Sequence, residues 1–229
     1  MKTDRLTGTQ IPRFSYDTPT QAQRDFYALC DDDRPLLLVF LPNYGHPISR
    51  VYLQRYCRTL AALQSGRLAC VVRSRPQSIA PSLTGEYPFP LICDVDGVLY
   101  GHFGVEKTNS RLHWSFSAAK ILRDARRQGY TPDPDAGQLL PLTMVVGREG
   151  QVLYAYHGRS LTDMPEDCRA MEKVCSRLLA ALDRAAAQDA DEEEYDDTDD
   201  DAGDEEQAAE DAPSAQDPER DERQDSEND

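Results

Sequence analysis

The residues best placed to do chemistry lie in the stretch Pro42-Asn43-Tyr44-Gly45-His46-Pro47-Ile48-Ser49. An apolar run, Leu36 to Leu41, precedes it and a helical pattern follows, so the stretch joins a buried strand, through a tight turn, to a helix N-terminus. The first turn of a helix presents N–H groups without intrahelical partners and a partial positive charge, a setting that acidifies a thiol. The two positions suited to such a thiol hold His46 and Ser49 instead. The stretch reads as a redox-type scaffold without sulfur.

Other chemistries can be weighed on the same residues. His46 and Ser49 are three positions apart, close enough to share a helix face and a hydrogen bond. A nucleophilic Ser–His pair also needs an orienting carboxylate and an oxyanion hole. No Gly-x-Ser-x-Gly elbow surrounds Ser49 and its loop contains no carboxylate. The expectation is therefore that Ser49 helps to satisfy the helix end and that His46 is a partly exposed neighbour of the cap. The four histidines, His46, His102, His113 and His157, show no ligand spacing, so neither a metal nor any other cofactor is expected.

The six cysteines, Cys30, Cys57, Cys70, Cys93, Cys168 and Cys175, contain no Cys-x-x-Cys pair. They read as reduced, buried thiols that pack as small apolar residues. Cys93 is the best alternative thiol, because it ends a strand where α/β proteins place their sites. Against it, no helix start immediately follows, and Asp94 and Asp96 are expected to raise its pKa.

The elements that position these residues follow from periodicity and breakers. Thr18-Pro19 reads as the start of a first helix carrying Phe26, Tyr27, Leu29 and Cys30, stopped by the acidic turn before Pro35. Leu36 to Leu41, bounded by prolines, predicts a strand buried on both faces. Ile48, Val51, Tyr52, Tyr56, Leu60 and Leu63 predict a helix reaching Gln64. A second strand follows over Leu68 to Val72, a short helix or turn over Pro76 to Leu83, and a third strand over Pro88 to Cys93, which together imply a parallel, helix-covered sheet. The segment from about 106 to 138 reads as an insertion containing one helix that runs into Gly129. Leu142 to Val146 and Gln151 to His157 form an antiparallel hairpin, and a last helix runs from about Pro165 to Ala187.

Composition changes sharply there. From Asp189 to Asp229 there are 22 Asp and Glu against two Arg, and no Leu, Ile, Val, Met or Phe. That leaves 19 acidic and 23 basic residues ahead of the segment, so a mildly basic body of residues 1–187 precedes an acidic tail of residues 188–229. The tail's composition predicts disorder, and its charge repels phosphates and argues against nucleic-acid partners. Met1 to Tyr16 holds no signal-like apolar core, and no run approaches the roughly 18 apolar residues of a spanning helix. A cytoplasmic protein without membrane partners is expected.

The element order, with Leu140-Pro141 just before the hairpin, resembles the thioredoxin fold. Over roughly Arg34 to Leu182 the chain resembles the peroxiredoxin-like branch of the alkyl hydroperoxide reductase and thiol-specific antioxidant family. The likeness is carried by Leu37 to Arg50, by Pro88 to Asp94 with Tyr100-Gly101-His102-Phe103-Gly104, and by Leu140 to Arg159. The resemblance implies an α/β fold with a central mixed sheet, and it makes Pro141 the cis-proline position that faces the redox loop. The family pattern is Pro-x-x-x-Thr-x-x-Cys. Pro42 matches its proline, His46 stands at the Thr position, or at the first Cys of the Cys-Pro-x-Cys version common in this branch, and Ser49 stands at that of the peroxidatic Cys.

The resemblance also makes Arg50 or Arg159 a remnant of the arginine that steadies thiolate and peroxide, whereas from the sequence alone each reads as solvated surface. In the family's chemistry a thiolate attacks the O–O bond, becomes a sulfenic acid and is restored through a disulfide. A serine cannot run that cycle. The expected function is therefore binding, with a protein or extended peptide held in a groove between Tyr44–Ser49 and Leu140-Pro141. The alternative is a thiol oxidoreductase using Cys93.

Overall fold

The computed structural model describes residues 5–83, 85–105, 116–127, 129 and 139–196. The chain divides into two units, Met1–Ala185 and Ala186–Asp229, and the fold described below is that of the first.

Its centre is a five-stranded mixed sheet in the order β5-β4-β3-β6-β7, built from β3 (Leu36–Phe40), β4 (Arg67–Val72), β5 (Leu91–Cys93), β6 (Leu142–Val146) and β7 (Val152–His157). β3, β4 and β5 are parallel, with Val39 opposite Cys70 and Val72 opposite Cys93, while β6 runs antiparallel to both β3 and β7. The sheet is thus mixed, as expected: the first three strands are parallel and the closing hairpin reverses direction.

Every residue of β3 is buried, as the continuous apolar run requires. Leu37, Val39 and Leu41 face a cluster containing Ile48, Tyr52, Leu53 and Tyr56 of α1 (Pro47–Thr59) and Met171 and Cys175 of the last helix. Leu36, Leu38 and Phe40 face Phe26, Tyr100, Phe103, Met144 and Val146. Three further helices complete the covering: α2 (Pro76–Ile79), α3 (Val98–His102) and α4 (Phe116–Arg127), which packs along α1. Of the expected insertion only α4 and Gly129 fall within the described residues.

The expected first helix does not form. The chain instead makes a short antiparallel pair, β1 (Ser15–Tyr16) with β2 (Arg24–Asp25), and a 3-10 turn over Tyr27–Leu29. The Thr18 hydroxyl accepts from the Gln21 N–H at 3.0 Å and Asp17 Oδ1 accepts from the Gln23 N–H at 2.8 Å. Such side-chain bonds offer the backbone an alternative to the helix. The third strand starts at Leu91 rather than Pro88, since Pro88 and Pro90 bring no N–H to a ladder.

The last helix, α5, spans Cys168–Asp196 and so passes the expected end at Ala187. Its extension, residues 188–196, contains the good helix formers Gln188, Ala190 and Glu192 to Glu194. The rest of the acidic tail lies outside the described residues.

α3 carries no periodic signal in the sequence, and one residue accounts for it. Asp94, at the end of β5, accepts the Val98 N–H at 3.0 Å with Oδ1 and the Leu99 and Tyr100 N–H groups at 2.9 and 3.1 Å with Oδ2. The helix places the buried Tyr100 hydroxyl against the carbonyls of Leu41 and Val71, at the ends of β3 and β4. Asp94→Ala leaves three N–H groups without their acceptor and is expected to cost about 2–3 kcal/mol. Urea denaturation followed by circular dichroism measures this; a loss below about 0.5 kcal/mol, the size of an ordinary surface substitution, would show that the cap does not hold α3.

Candidate functional site

β3 ends at Phe40, and the loop that follows is tied down bond by bond. Asn43 Oδ1 accepts the Gly45 N–H at 2.7 Å and the Ser74 hydroxyl at 3.3 Å. The Tyr44 N–H donates to Ser74 Oγ at 2.9 Å, and the His46 N–H donates to the Asn43 carbonyl at 3.0 Å. His46 then takes extended backbone angles, φ −73° and ψ 130°, and caps α1 with its Nδ1, which accepts the Ile48 N–H at 3.3 Å. Pro47 fills the first helical position, where no N–H is needed. Ser49, fully buried, donates its hydroxyl to the Pro42 carbonyl at 3.0 Å.

Pro42, His46 and Ser49 therefore do come together, in roles other than those expected. His46 is itself the cap and is only 6% exposed, not a partly exposed neighbour. Burial presses its pKa from the ordinary 6.5 to about 4. An Nδ1 that accepts an N–H is unprotonated, so the ring is neutral with its proton on Nε2. Ser49 ties the helix back to the loop rather than satisfying helix N–H groups, and its hydroxyl proton goes to Pro42 and not to His46.

The expected single groove is divided in two. Leu140-Pro141 lines a cleft of about 650 Å³ with Phe103, His157, Gly158 and Arg159. Tyr44 and Arg50 line a different cleft, where the Arg50 guanidinium stands 5.1 Å from the centre of the Tyr44 ring. Arg50 and Arg159 thus belong to separate openings. Gly158 is held against Pro141: its N–H donates to the Pro141 carbonyl at 2.8 Å, and a Cβ there would collide with the Asp163 carbonyl and meet Pro141 Cγ at 2.7 Å. His157 lies 3.0 Å from the Phe103 carbonyl through Nε2, and His113 falls outside the described residues. Among the described residues no group of three or more His, Cys, Asp and Glu is placed to hold a metal ion.

All six cysteines are unpaired. Burial raises the pKa of each, that of Cys93 to about 12 with Asp17 as the second cause. Asp94 and Asp96 are not the carboxylates that act on Cys93. Asp17, which bridges to Cys93 through the backbone, acts instead, while the Asp94 carboxylate is engaged with α3. A helix does follow Cys93, but its free N–H groups point to Asp94.

Sequence reasoning missed Asn43, Ser74 and Gly158. Asn43 carries a local signal, an Asn after proline in a turn. Ser74 and Gly158 act through residues distant in sequence and carry none.

No protein-family model matches the sequence, and no curated protein matches it. Solved structures do. The reduced 2-Cys peroxiredoxin of Plasmodium vivax is 11% identical, with 80% of this chain and 85% of that one covered and a TM-score of 0.53. The thiol peroxidase of Chromobacterium violaceum is 16% identical, covering 77% and 88%, with a TM-score of 0.50. The bacterioferritin comigratory protein of Xanthomonas campestris is 18% identical, covering 73% and 91%, with a TM-score of 0.50. The chain has the thioredoxin-like fold in the form these peroxidases have it. No helix among the described residues is long and apolar enough to cross a membrane.

Two predictions follow from this geometry. In the unfolded chain His46 takes a proton near pH 6.5, while in the fold it does so only near pH 4, so its contribution is complete above pH 6.5 and is lost as pH falls toward 4. The full effect is about 3 kcal/mol. His46→Asn, which keeps a capping side chain, is expected to flatten the fall in urea stability between pH 6.5 and 4.5, and an unchanged slope would show that His46 is not the group responsible. Gly158→Ala is expected to cost about 2–4 kcal/mol by overpacking against Pro141 and Asp163. Gly85→Ala, where a Cβ meets nothing within 4 Å and no helix is involved, serves as the neutral control in the same denaturation series.

Proposed function

We propose that the chain is a peroxiredoxin-like protein that carries Ser49 in place of the peroxidatic cysteine and works by binding rather than by reducing peroxide. The observation that carries this reading is Ser49 itself, buried in the first turn of α1 after the central strand, with its hydroxyl donated to Pro42. A serine hydroxyl is un-ionised near neutral pH and has no reversible counterpart of the sulfenic acid and disulfide steps. The competing reading, a displaced thiol such as Cys93, is disfavoured by a pKa near 12 and by burial at 7% exposure.

Within this reading the partner is a protein or extended peptide, received beside Leu140-Pro141, where the chain is open. Residues 1–187 form the binding body, and the acidic residues 188–229 tune solubility or partner choice. Six unpaired cysteines suit a reducing compartment, the cytoplasm.

The test is hydrogen peroxide consumption with dithiothreitol as reductant. The native protein is expected to match the protein-free blank. Ser49→Cys is expected to gain at most a slow consumption that rises only above the ordinary thiol pKa of about 8.5, because the position is buried, faces the Pro42 carbonyl and has lost the Ile48 N–H to His46. A native rate above the blank that disappears in a variant lacking all six cysteines would overturn the reading and point to a displaced thiol.

A further inference from the structure

β5 is an edge of the sheet, with β4 on one side only. Its register settles which of its backbone groups β4 uses. The Cys70 N–H donates to the Pro90 carbonyl at 3.0 Å and the Asp94 N–H to the Val72 carbonyl at 2.9 Å, so positions 90, 92 and 94 turn toward β4. Leu91 and Cys93 turn their N–H and carbonyl groups the other way. There the Cys93 N–H meets the Asp17 carbonyl at 2.8 Å. The chain then leaves the edge, because the Thr18 N–H closes a turn on the Gln21 carbonyl at 2.7 Å. Leu91 is left with an N–H that has no hydrogen-bond partner among the described residues and a carbonyl whose one contact is the weak donor Cys93 Sγ at 4.0 Å.

Leu91 lines a cleft of about 220 Å³. Tyr87 and Phe89 line it as a stacked pair, with ring centres 5.6 Å apart and planes at 30°, and Pro19 and Pro88 add apolar surface. Tyr16 lines it too. That residue is only 4% exposed, yet its hydroxyl has no hydrogen-bond partner among the described residues, where a buried tyrosine hydroxyl ordinarily finds one. The hydroxyl is not among the partnerless polar atoms sealed from solvent, so it opens on the cleft. Burial raises the Tyr16 pKa, with Arg24 opposing, so the phenol keeps its proton at neutral pH. The charged groups of the lining are one guanidinium, Arg24, and one carboxylate, Glu86, both on exposed residues, so the cleft favours neither an anion nor a cation.

Small-molecule sites combine apolar walls with a few fixed polar groups, and volumes of about 300–1000 Å³ serve drug-sized ligands. This cleft is smaller and has room for a single ring system. An N–H and a carbonyl on one strand residue pair with a neighbour that presents an acceptor and a donor side by side. We propose that the cleft binds a neutral, planar nitrogen heterocycle of the nucleobase type, its ring against Tyr87 and Phe89 and its acceptor and donor on the Leu91 backbone. A second ring acceptor takes the Tyr16 proton. None of the lining residues belongs to the loop of residues 42–49, so this site goes beyond the reading of Ser49 and can fail separately from it: peroxide consumption decides that reading and ligand titration decides this one.

The probe is 2-aminopyrimidine, a small ring with such an edge, titrated calorimetrically into the full-length chain beside its dimethylamino analogue, which has no N–H to donate. The amino compound is expected to bind about tenfold more tightly, the size of one hydrogen bond. Tyr16→Phe is expected to weaken it about fivefold while leaving stability to urea unchanged, because the hydroxyl it removes bonds nothing within the protein. Adenine and adenosine, titrated in the same way, separate a free base from a nucleoside as the source of the ring. Absence of binding by the aminopyrimidine, equal affinity for its dimethylamino analogue, or affinity unaffected by Tyr16→Phe would each overturn the proposal. So would tighter binding of a capped valine-phenylalanine-valine peptide than of any ring, which would give the edge of β5 to strand addition instead.

Discussion

The structure depends on burying one strand on both faces. Leu36 to Leu41 are no more than 2% exposed, and each large side chain so buried contributes about 1.5–3 kcal/mol. That burial fixes where the strand lies but not its register. When both faces are apolar, a slip of one residue moves one apolar set into the place of another and exposes nothing, so alternation cannot choose between registers. The polar groups at the strand ends have to choose. At one end the Arg67 N–H meets the Pro35 carbonyl, and at the other the Tyr100 hydroxyl meets the carbonyls of Leu41 and Val71. Asp94 belongs to the same device, because it holds the helix that carries Tyr100.

With the register fixed, the end of β3 fixes the start of α1. Only Pro42 to His46 separate Leu41 from the helix, and Ser74, just past the end of β4, reaches across to hold Asn43 and Tyr44. The loop is therefore an outcome of the sheet, with little freedom of its own. Its burial has a chemical consequence: a histidine brought in as a cap in so dry a place must be neutral, and the region near Ser49 gains no cation from it.

The parts of the fold legible in the sequence are those in which one physical requirement dominates. The continuous run in β3, the hairpin with its glycine-bounded turn and the apolar row of α1 each answer to burial alone. Thr18-Pro19 looked like a helix start because capping and turn formation use the same residue types, and the choice between them rests on which N–H groups Asp17 and Thr18 reach. α3 is five residues long, too short for periodicity to register, and its cause lies in a carboxylate whose partners are four to six positions away. At the site, strand–turn–helix spacing located Pro42, His46 and Ser49. It did not give their burial, nor the bonds from Ser74 to Asn43 and Tyr44 beside them, nor the effect of Asp17 on Cys93, because all are set by contacts between distant parts of the chain.

The bond from Ser49 to Pro42 says what kind of group this loop is folded around. A carbonyl oxygen 3.0 Å away rewards a proton donor and repels an anion, so the position suits a hydroxyl better than a thiol, and a thiol better than a thiolate. The helix end would ordinarily offset that repulsion through its free N–H groups. Here the Ile48 N–H is engaged by His46, and the Arg50 guanidinium lies over Tyr44. The Ile48 donor is thus turned to holding the loop together. The bond that ties α1 back to the loop at Ser49 is therefore one that a hydroxyl makes and a thiolate could not.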